Sequence, residues 1–285
     1  MVARAVICAL SVFTSLAPTM AEARDIPSPV YGVTIDSVSR LGDITKSLDA
    51  LSKMPTTRIV FDEFVPPSEY ATAINRLHPI SYIMGEILDS SAMSRYTVTN
   101  FKRRVDNYLN AFPEKVDIWE IGNEINGEWL GSTSSVVAKM AYAFDAAKAR
   151  GKKTALTLYY NPNCFERAAN EMFTWVRANV PARMLNGLDY VLVSYYEDDC
   201  NGFQPNWQNV FDQLGVLFPN SLLGVGECGT EFADRKATYI RRYYNMVVNH
   251  HRFVGGQFWW YYKQDMVPMT KANWKVINGA MVSVP

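Results

Sequence analysis

The sequence predicts an α/β protein folded as a single (β/α)8 TIM barrel, and three observations carry that prediction. Strand-like and helix-like segments alternate with short connections from residue 31 onward. The strand-like segments read as near-continuous apolar runs, as parallel strands covered on both faces do. Eight such strand–helix units fit in 285 residues, the length at which eight units close into a barrel. A doubly wound open sheet is the alternative. It needs fewer strands or a glycine-rich phosphate loop after the first one, and "YGVTIDSVSRLGD" contains no G-x-G-x-x-G.

The units follow in order. "YGVTID" (31–36) is a strand and "ITKSLDALSKM" (44–54) an amphipathic helix. The second unit is "TTRIVFDE" (56–63) with "SEYATAINRLH" (68–78). The third is "ISYIMGEIL" (80–88) with "VTNFKRRVDNYLNAF" (98–112). The fourth is "VDIWEIGNE" (116–124) with "SSVVAKMAYAFDAAKARG" (134–151), whose glycine is a stop signal. "KTALTLYY" (153–160) and "ERAANEMFTWVRANV" (166–180) make the fifth, and "LDYVLVSYY" (188–196) and "NWQNVFDQLGVLF" (206–218) the sixth. "SLLGVGE" (221–227) pairs with "RKATYIRRYYNMVVNH" (235–250), "VGGQFWWYY" (254–262) is the eighth strand, and "TKANWKVING" is a closing helix. No linker, low-complexity run or charge block interrupts residues 24–285, which read as one catalytic domain.

The first 23 residues have the pattern of a secretory signal peptide: a positive start in "MVAR", the apolar run "AVICALSVFTSLAP", and the cleavage pattern Ala21-Glu22-Ala23. The run is short for a bilayer, so the alternative of an uncleaved anchor ranks second. A mature chain beginning at Arg24 is expected to be secreted or periplasmic and free of the membrane. Cys8 leaves with the leader. Cys164 and Cys200 lie in the polar stretches "NPNC" and "EDDCNG" and are the expected disulfide, with Cys228 buried and free; three reduced cysteines are the alternative.

Lys+Arg and Asp+Glu both number 28, so no net charge calls for nucleic acid or an anionic membrane as partner. In a barrel of this type the chemistry sits at the C-terminal ends of the strands. There the sequence places carboxylates and aromatics: Asp62 and Glu63, Glu86 and Asp89, Glu124, Tyr159 and Tyr160, Tyr195, Tyr196 and Glu197, Glu227, Trp259 and Trp260. Such a rim suits a neutral, hydroxyl-rich ligand, a carbohydrate. "WEIGNEINGEW" (119–129) ends the fourth strand with an amide beside an acid, and "GVGECGTE" ends the seventh with Glu227. Two carboxylates converging over the barrel mouth, roughly 5–5.5 Å apart, suit glycoside cleavage with retention. Asn123 is placed to bond the sugar 2-hydroxyl.

"GNE" closing the fourth strand together with a Glu closing the seventh resembles clan A of the glycoside hydrolases, the 4/7 barrels, across residues 31–265. The resemblance implies Glu124 as acid/base and Glu227 as nucleophile, with Asn123 as the amide before the acid/base. It implies Arg58 of "TRIV" as the strand-two Arg that steadies the nucleophile. Tyr196, with Tyr195 second, is implied as the Tyr that contacts the nucleophile, and Trp259 or Trp260 as the floor under the reacting sugar. The chain departs from several clan members by carrying Glu86 on the third strand and Ser194 before the tyrosines, where they carry His. The family within the clan therefore stays open.

Each residue has a structural alternative. The two Glu are ion-pair residues in that reading, Arg58 pairs with any rim acid, and half of Tyr195, Tyr196, Trp259 and Trp260 point away because strand faces alternate. Trp129 and Trp207 are loop residues beside the rim. No metal site or cofactor is expected: only His78, His250 and His251 exist, with no H-x-x-x-H, and no G-x-S-x-G supports a serine hydrolase. The expected activity is an exported retaining hydrolase of β-linked oligo- or polysaccharide. A transglycosylase using the same pair, or a non-catalytic carbohydrate-binding barrel, are the alternatives.

Overall fold

Eight parallel strands close on themselves in chain order in the computed structural model, which describes residues 24–283. The expected leader lies outside the described residues. The strands are β1 (Val30–Ile35), β2 (Thr56–Val60), β3 (Tyr82–Glu86), β4 (Ile118–Gly122), β5 (Lys153–Tyr159), β6 (Tyr190–Tyr195), β7 (Leu222–Cys228) and β8 (Phe253–Trp259). The helices are α1 (Leu41–Asp49), α2 (Ala71–Leu77), α3 (Val98–Ala111), α4 (Thr133–Ala149), α5 (Met172–Asn179), α6 (Ala182–Gly187), α7 (Trp207–Leu217), α8 (Lys236–Tyr244), α9 (Tyr262–Met266) and α10 (Ala272–Ser283). Among the described residues, none of these helices is long and apolar enough to cross a membrane.

Helix α3 shows why these segments fold as they do. Thr97 accepts from Asn100 N and opens the helix, as an N-cap should. Phe101, Arg104, Val105, Tyr108 and Leu109 are then buried at i, i+3, i+4, i+7 and i+8, one face laid on the barrel. Ser132, Glu171 and Asn206 cap α4, α5 and α7 in the same way.

The strands carry two cores. Residues facing the helices, such as Trp119, Ile121, Val191, Val193 and Val225, join the large outer core. Met84, Ile118, Ala155 and Leu192 meet inside the barrel with Val30 and Phe258. One inward-facing step further along the same strands the side chains turn polar: Met84 gives way to Glu86, Ile118 to Glu120, Ala155 to Thr157 and Leu192 to Ser194. The barrel is apolar at its floor and ionic under its C-terminal mouth.

Boundaries differ from expectation where proline or the polar mouth intervenes. The helix expected over 166–180 breaks into a 3-10 turn (Ala168–Asn170) and α5, and α6 follows behind Pro181. The helix expected to 250 ends at Tyr244, and the strand expected to 262 ends at Trp259, with Trp260 and Tyr261 in a turn before α9 begins at Tyr262.

Candidate active site

Two bulges aim the site. In β7, Val225 pairs with Val193 but Glu227, not Gly226, pairs with Ser194. The extra residue reverses the alternation, so Glu227 turns to the mouth and Cys228 joins the outer core. Gly226 is required there: a Cβ would sit 2.7 Å from Leu192 Cβ and 3.0 Å from Thr157 Oγ1. In β4, Glu120 pairs with Ala155 and Gly122 with Leu156, which again skips one residue and brings Asn123 to the mouth. Glu124 follows with φ +48°, a left-handed conformation that a Glu adopts only where its surroundings hold it.

Below Glu227 lies a buried ionic cluster. Arg58, fully buried, donates through Nη1 to Glu227 Oε2 at 2.8 Å, through Nε to Glu120 Oε2 at 2.6 Å and through Nη2 to Glu120 Oε1 at 3.1 Å. Its Nη2 also lies 3.1 Å from Glu86 Oε2, without hydrogen-bond alignment. Burial works against the guanidinium charge, but Glu120, Glu86 and Glu227 outweigh it and hold the proton on. One cation among three carboxylates leaves excess negative charge in a dry interior, and Glu86 absorbs it. Burial pushes its carboxyl well above the usual range, and neither oxygen has a hydrogen-bond partner.

The two mouth carboxyls sit in opposite surroundings. Glu227 accepts from Arg58, from Tyr196 Oη at 2.8 Å and from Asn123 Nδ2 at 3.3 Å. Burial raises its pKa, while Arg58 and the Tyr196 hydrogen bond pull it back. Among the described residues Glu124 accepts from two neutral donors, Ser90 Oγ and Ser194 Oγ, each at 2.7 Å. Burial and then the nearby Glu227 push it up to about 8. Glu124 therefore favours its protonated form near neutral pH.

Both carboxyls open into a cavity of about 590 Å³ whose walls include Trp129, Tyr159, Tyr196, Phe232, Trp260 and Tyr261. Asp89, Asp198, Asp199 and Glu231 complete an acidic rim. Of the residues expected from sequence, Glu124, Glu227, Tyr196 and Trp260 line this cavity, and Asn123 and Arg58 hold Glu227 from behind. Trp260 also covers the Arg58 guanidinium, 5.4 Å from ring centroid to Cζ. Tyr195 and Trp259 are corrections. Tyr195 follows the outward parity of Val191 and Val193, packs on Tyr160 and Trp207, and donates to Phe203 O. Trp259 is fully buried behind β8 and donates to Asp265 Oδ2 at 3.0 Å. Trp207 likewise belongs to the outer aromatic stack, whereas Trp129 is 43% exposed at the cavity and donates to Ser90 Oγ. Of the other rim acids, Asp62 accepts from Tyr70, Glu63 pairs with Arg95, and Glu197 pairs with Arg242.

Sequence reasoning missed Ser90 and the roles of Ser194, Glu120 and Glu86. Ser194 was findable as the inward position two after Leu192; Ser90 had no signal, because it starts a 3-10 turn (Ser90–Arg95) in a loop. Cys164 and Cys200 form the disulfide, 5.3 Å between Cα atoms, which ties the loop after β5 to the turn Glu197–Cys200 at the rim. Cys228 is free and buried, and burial pushes its thiol well up. Among the described residues no group of three His, Cys, Asp or Glu is arranged to hold a metal ion.

A carboxyl that keeps its proton near neutrality can give it to a leaving group. A carboxylate tethered by Arg and Tyr on its far side can present an oxygen to an electrophilic carbon. No protein-family model matches the chain, and no curated protein matches it. Solved structures do. Saccharomyces cerevisiae Gas2p in complex with laminaritriose and laminaritetraose aligns at 12% identity and TM-score 0.56, over 93% of this chain and 69% of that one. Gas2p in complex with laminaripentaose gives 11% and 0.56 over 93% and 70%. Its apo structure gives 11% and 0.57 over 95% and 66%. The chain thus shares its barrel fold with Gas2p and spans about two thirds of that chain.

Proposed function

We propose that this protein is an exported retaining glycosidase of β-linked oligo- or polysaccharide, working by double displacement. One observation carries the reading: two buried carboxyls share one aromatic-walled cavity, one fastened to a buried Arg and the other held by neutral donors alone. Glu227 Oε attacks the anomeric carbon as the glycosidic C–O bond breaks, and Glu124 gives its proton to the leaving oxygen. Glu124, now ionised, takes a proton from water, whose oxygen displaces Glu227 from the sugar. Asn123 is proposed to bond the 2-hydroxyl, Tyr196 to orient Glu227, and Trp260 to floor the reacting sugar. The disulfide supports an oxidising destination after removal of the leader behind Ala23. The neighbours' laminari-oligosaccharides make β-1,3-glucan the first substrate to try.

The test is turnover of β-glucans, xylan, mannan and aryl β-glycosides by wild type, Glu124→Ala and Glu227→Ala, with azide added. Loss in both variants is expected, with azide giving a retained glycosyl azide from Glu124→Ala and an inverted one from Glu227→Ala. Sugar binding that survives both changes, with no turnover by wild type, would leave a binding barrel. Products longer than the substrate would mean that a sugar replaces water as acceptor.

A further inference from the structure

Phe64, on the loop after β2, combines two unfavourable features. Its side chain is 67% exposed, and its backbone sits at φ +62°, where a bulky residue is rare. The other non-glycine left-handed residues among those described are polar or charged: Arg40, Glu124, Asn163, Asn201 and Gln257. The loop is locked from below. Arg104, itself buried, donates to the carbonyls of Phe61, Asp62, Val65 and Ile87, and Tyr108 Oη donates to Val65 O. Phe64 N donates to Tyr96 Oη at 2.6 Å. The Phe64 ring lies nearly parallel to that of Tyr96, 4.9 Å between centroids and 9° between planes. A conformation this over-determined, presenting an apolar ring to water, indicates use of the ring.

The ring borders a recess of about 260 Å³ whose polar edge is Asn100, Arg103 and Asn107. An aromatic face beside amides and a guanidinium matches a pyranose, which offers C–H groups on one side and hydroxyls at its edge. One short segment runs from the wall of the catalytic cavity to the wall of the recess. The 3-10 turn Ser90–Arg95 begins at Ser90 in the cavity wall and ends beside Tyr96, and its Arg95 pairs with Glu63 next to Phe64. Six residues at ~2 Å of rise separate Ser90 from Tyr96 by about 12 Å.

We propose that Phe64, stacked on Tyr96, is a distal sugar platform that binds a unit of the same glycan chain beyond the catalytic cavity, making the enzyme favour long substrates. This rests on the glycosidase reading. The test compares kcat/KM for laminaripentaose and laminaritriose, or for the long and short members of whichever β-glycan is turned over, in wild type, Phe64→Gly and Phe64→Trp. Glycine accepts the backbone conformation, so Phe64→Gly is expected to melt no lower than wild type while its long-to-short ratio drops about fivefold. Phe64→Trp should keep the ratio. In a Glu124→Gln background, adding Phe64→Gly should weaken laminaripentaose binding by the same factor. An unchanged ratio in Phe64→Gly, with wild type active, overturns the platform and leaves the glycosidase reading standing. A wild type inactive on every glycan overturns that reading and the platform with it.

Discussion

Arg58 donates to Glu227 at 2.8 Å, whereas among the described residues no cation reaches Glu124, which accepts from Ser90 and Ser194. This asymmetry sets the order in which the two carboxyls ionise. In the proposed double displacement Glu227 must be ionised and Glu124 protonated, so kcat/KM is expected to be bell-shaped in pH. The basic limb falls at about 8, where Glu124 loses its proton, and the acid limb lies above the ordinary carboxylate range because burial raises Glu227. The Ser194 hydrogen bond lowers the Glu124 pKa, so Ser194→Ala should move the basic limb to higher pH. A pH profile on an aryl β-glycoside reads both shifts; a Ser194→Ala basic limb at or below the wild-type position refutes the assignment.

Glu120 takes two of the Arg58 donors and leaves one for Glu227. Its charge also raises the Glu227 pKa across the cluster. Glu120→Gln should therefore shift the acid limb to lower pH and cut kcat, by roughly tenfold to a hundredfold as the guanidinium loses its anchor. Glu86→Gln should do less of both, because burial already pushes the Glu86 carboxyl toward its neutral form. If the acid limb responds to Glu86→Gln and ignores Glu120→Gln, the roles given to the two acids are reversed.

The raised Glu124 also links stability to pH. Its folded pKa of about 8 exceeds the ordinary 4.5, so the folded state holds a proton that the unfolded chain gives up between those values. Its contribution is fully present below pH 4.5 and is lost as pH rises toward 8. At pH 7 the cost approaches about 3 kcal/mol, from 2.5 pH units at 1.36 kcal/mol each. Glu124→Gln should thus raise the melting temperature at pH 7 and change it little at pH 4. Equal effects at both pH values would show that Glu124 ionises normally in the fold.

How much of this was legible in the sequence follows from strand periodicity. Apolar runs and capped helices located all eight units, and "GNE" and "GE" located both mouth carboxyls. Within "SYY" and "FWW" the alternation of faces separates Tyr196 from Tyr195 and Trp260 from Trp259, but only once it is known which parity points inward. Leu192 and Phe258 in the barrel interior settle that. The bulges at Gly226 and at Ile121–Gly122 leave no reliable mark in an apolar run, since each depends on register against a neighbouring strand. Glu86 and Glu120 sit inside strands, where sequence alone does not show that one buried Arg will gather them. Phe64 was invisible because its conformation is imposed by Arg104, forty residues downstream.

The disulfide joins the rim to the frame. Cys164 and Cys200 are separated by 36 residues, and closing that loop restricts the unfolded chain by about 4 kcal/mol in the chain-entropy account. The bridge also anchors the turn Glu197–Cys200, whose Asp198 and Asp199 stand at the cavity. Cys164→Ser with Cys200→Ser should lower stability in guanidinium unfolding by roughly 2–4 kcal/mol and raise KM more than it lowers kcat, since Glu124 and Glu227 rest on strands the bridge does not touch. Wild type treated with a reductant should behave like the double variant. A fall in kcat at constant KM would instead place the bridge in support of the catalytic pair itself, through β6, whose Ser194 donates to Glu124.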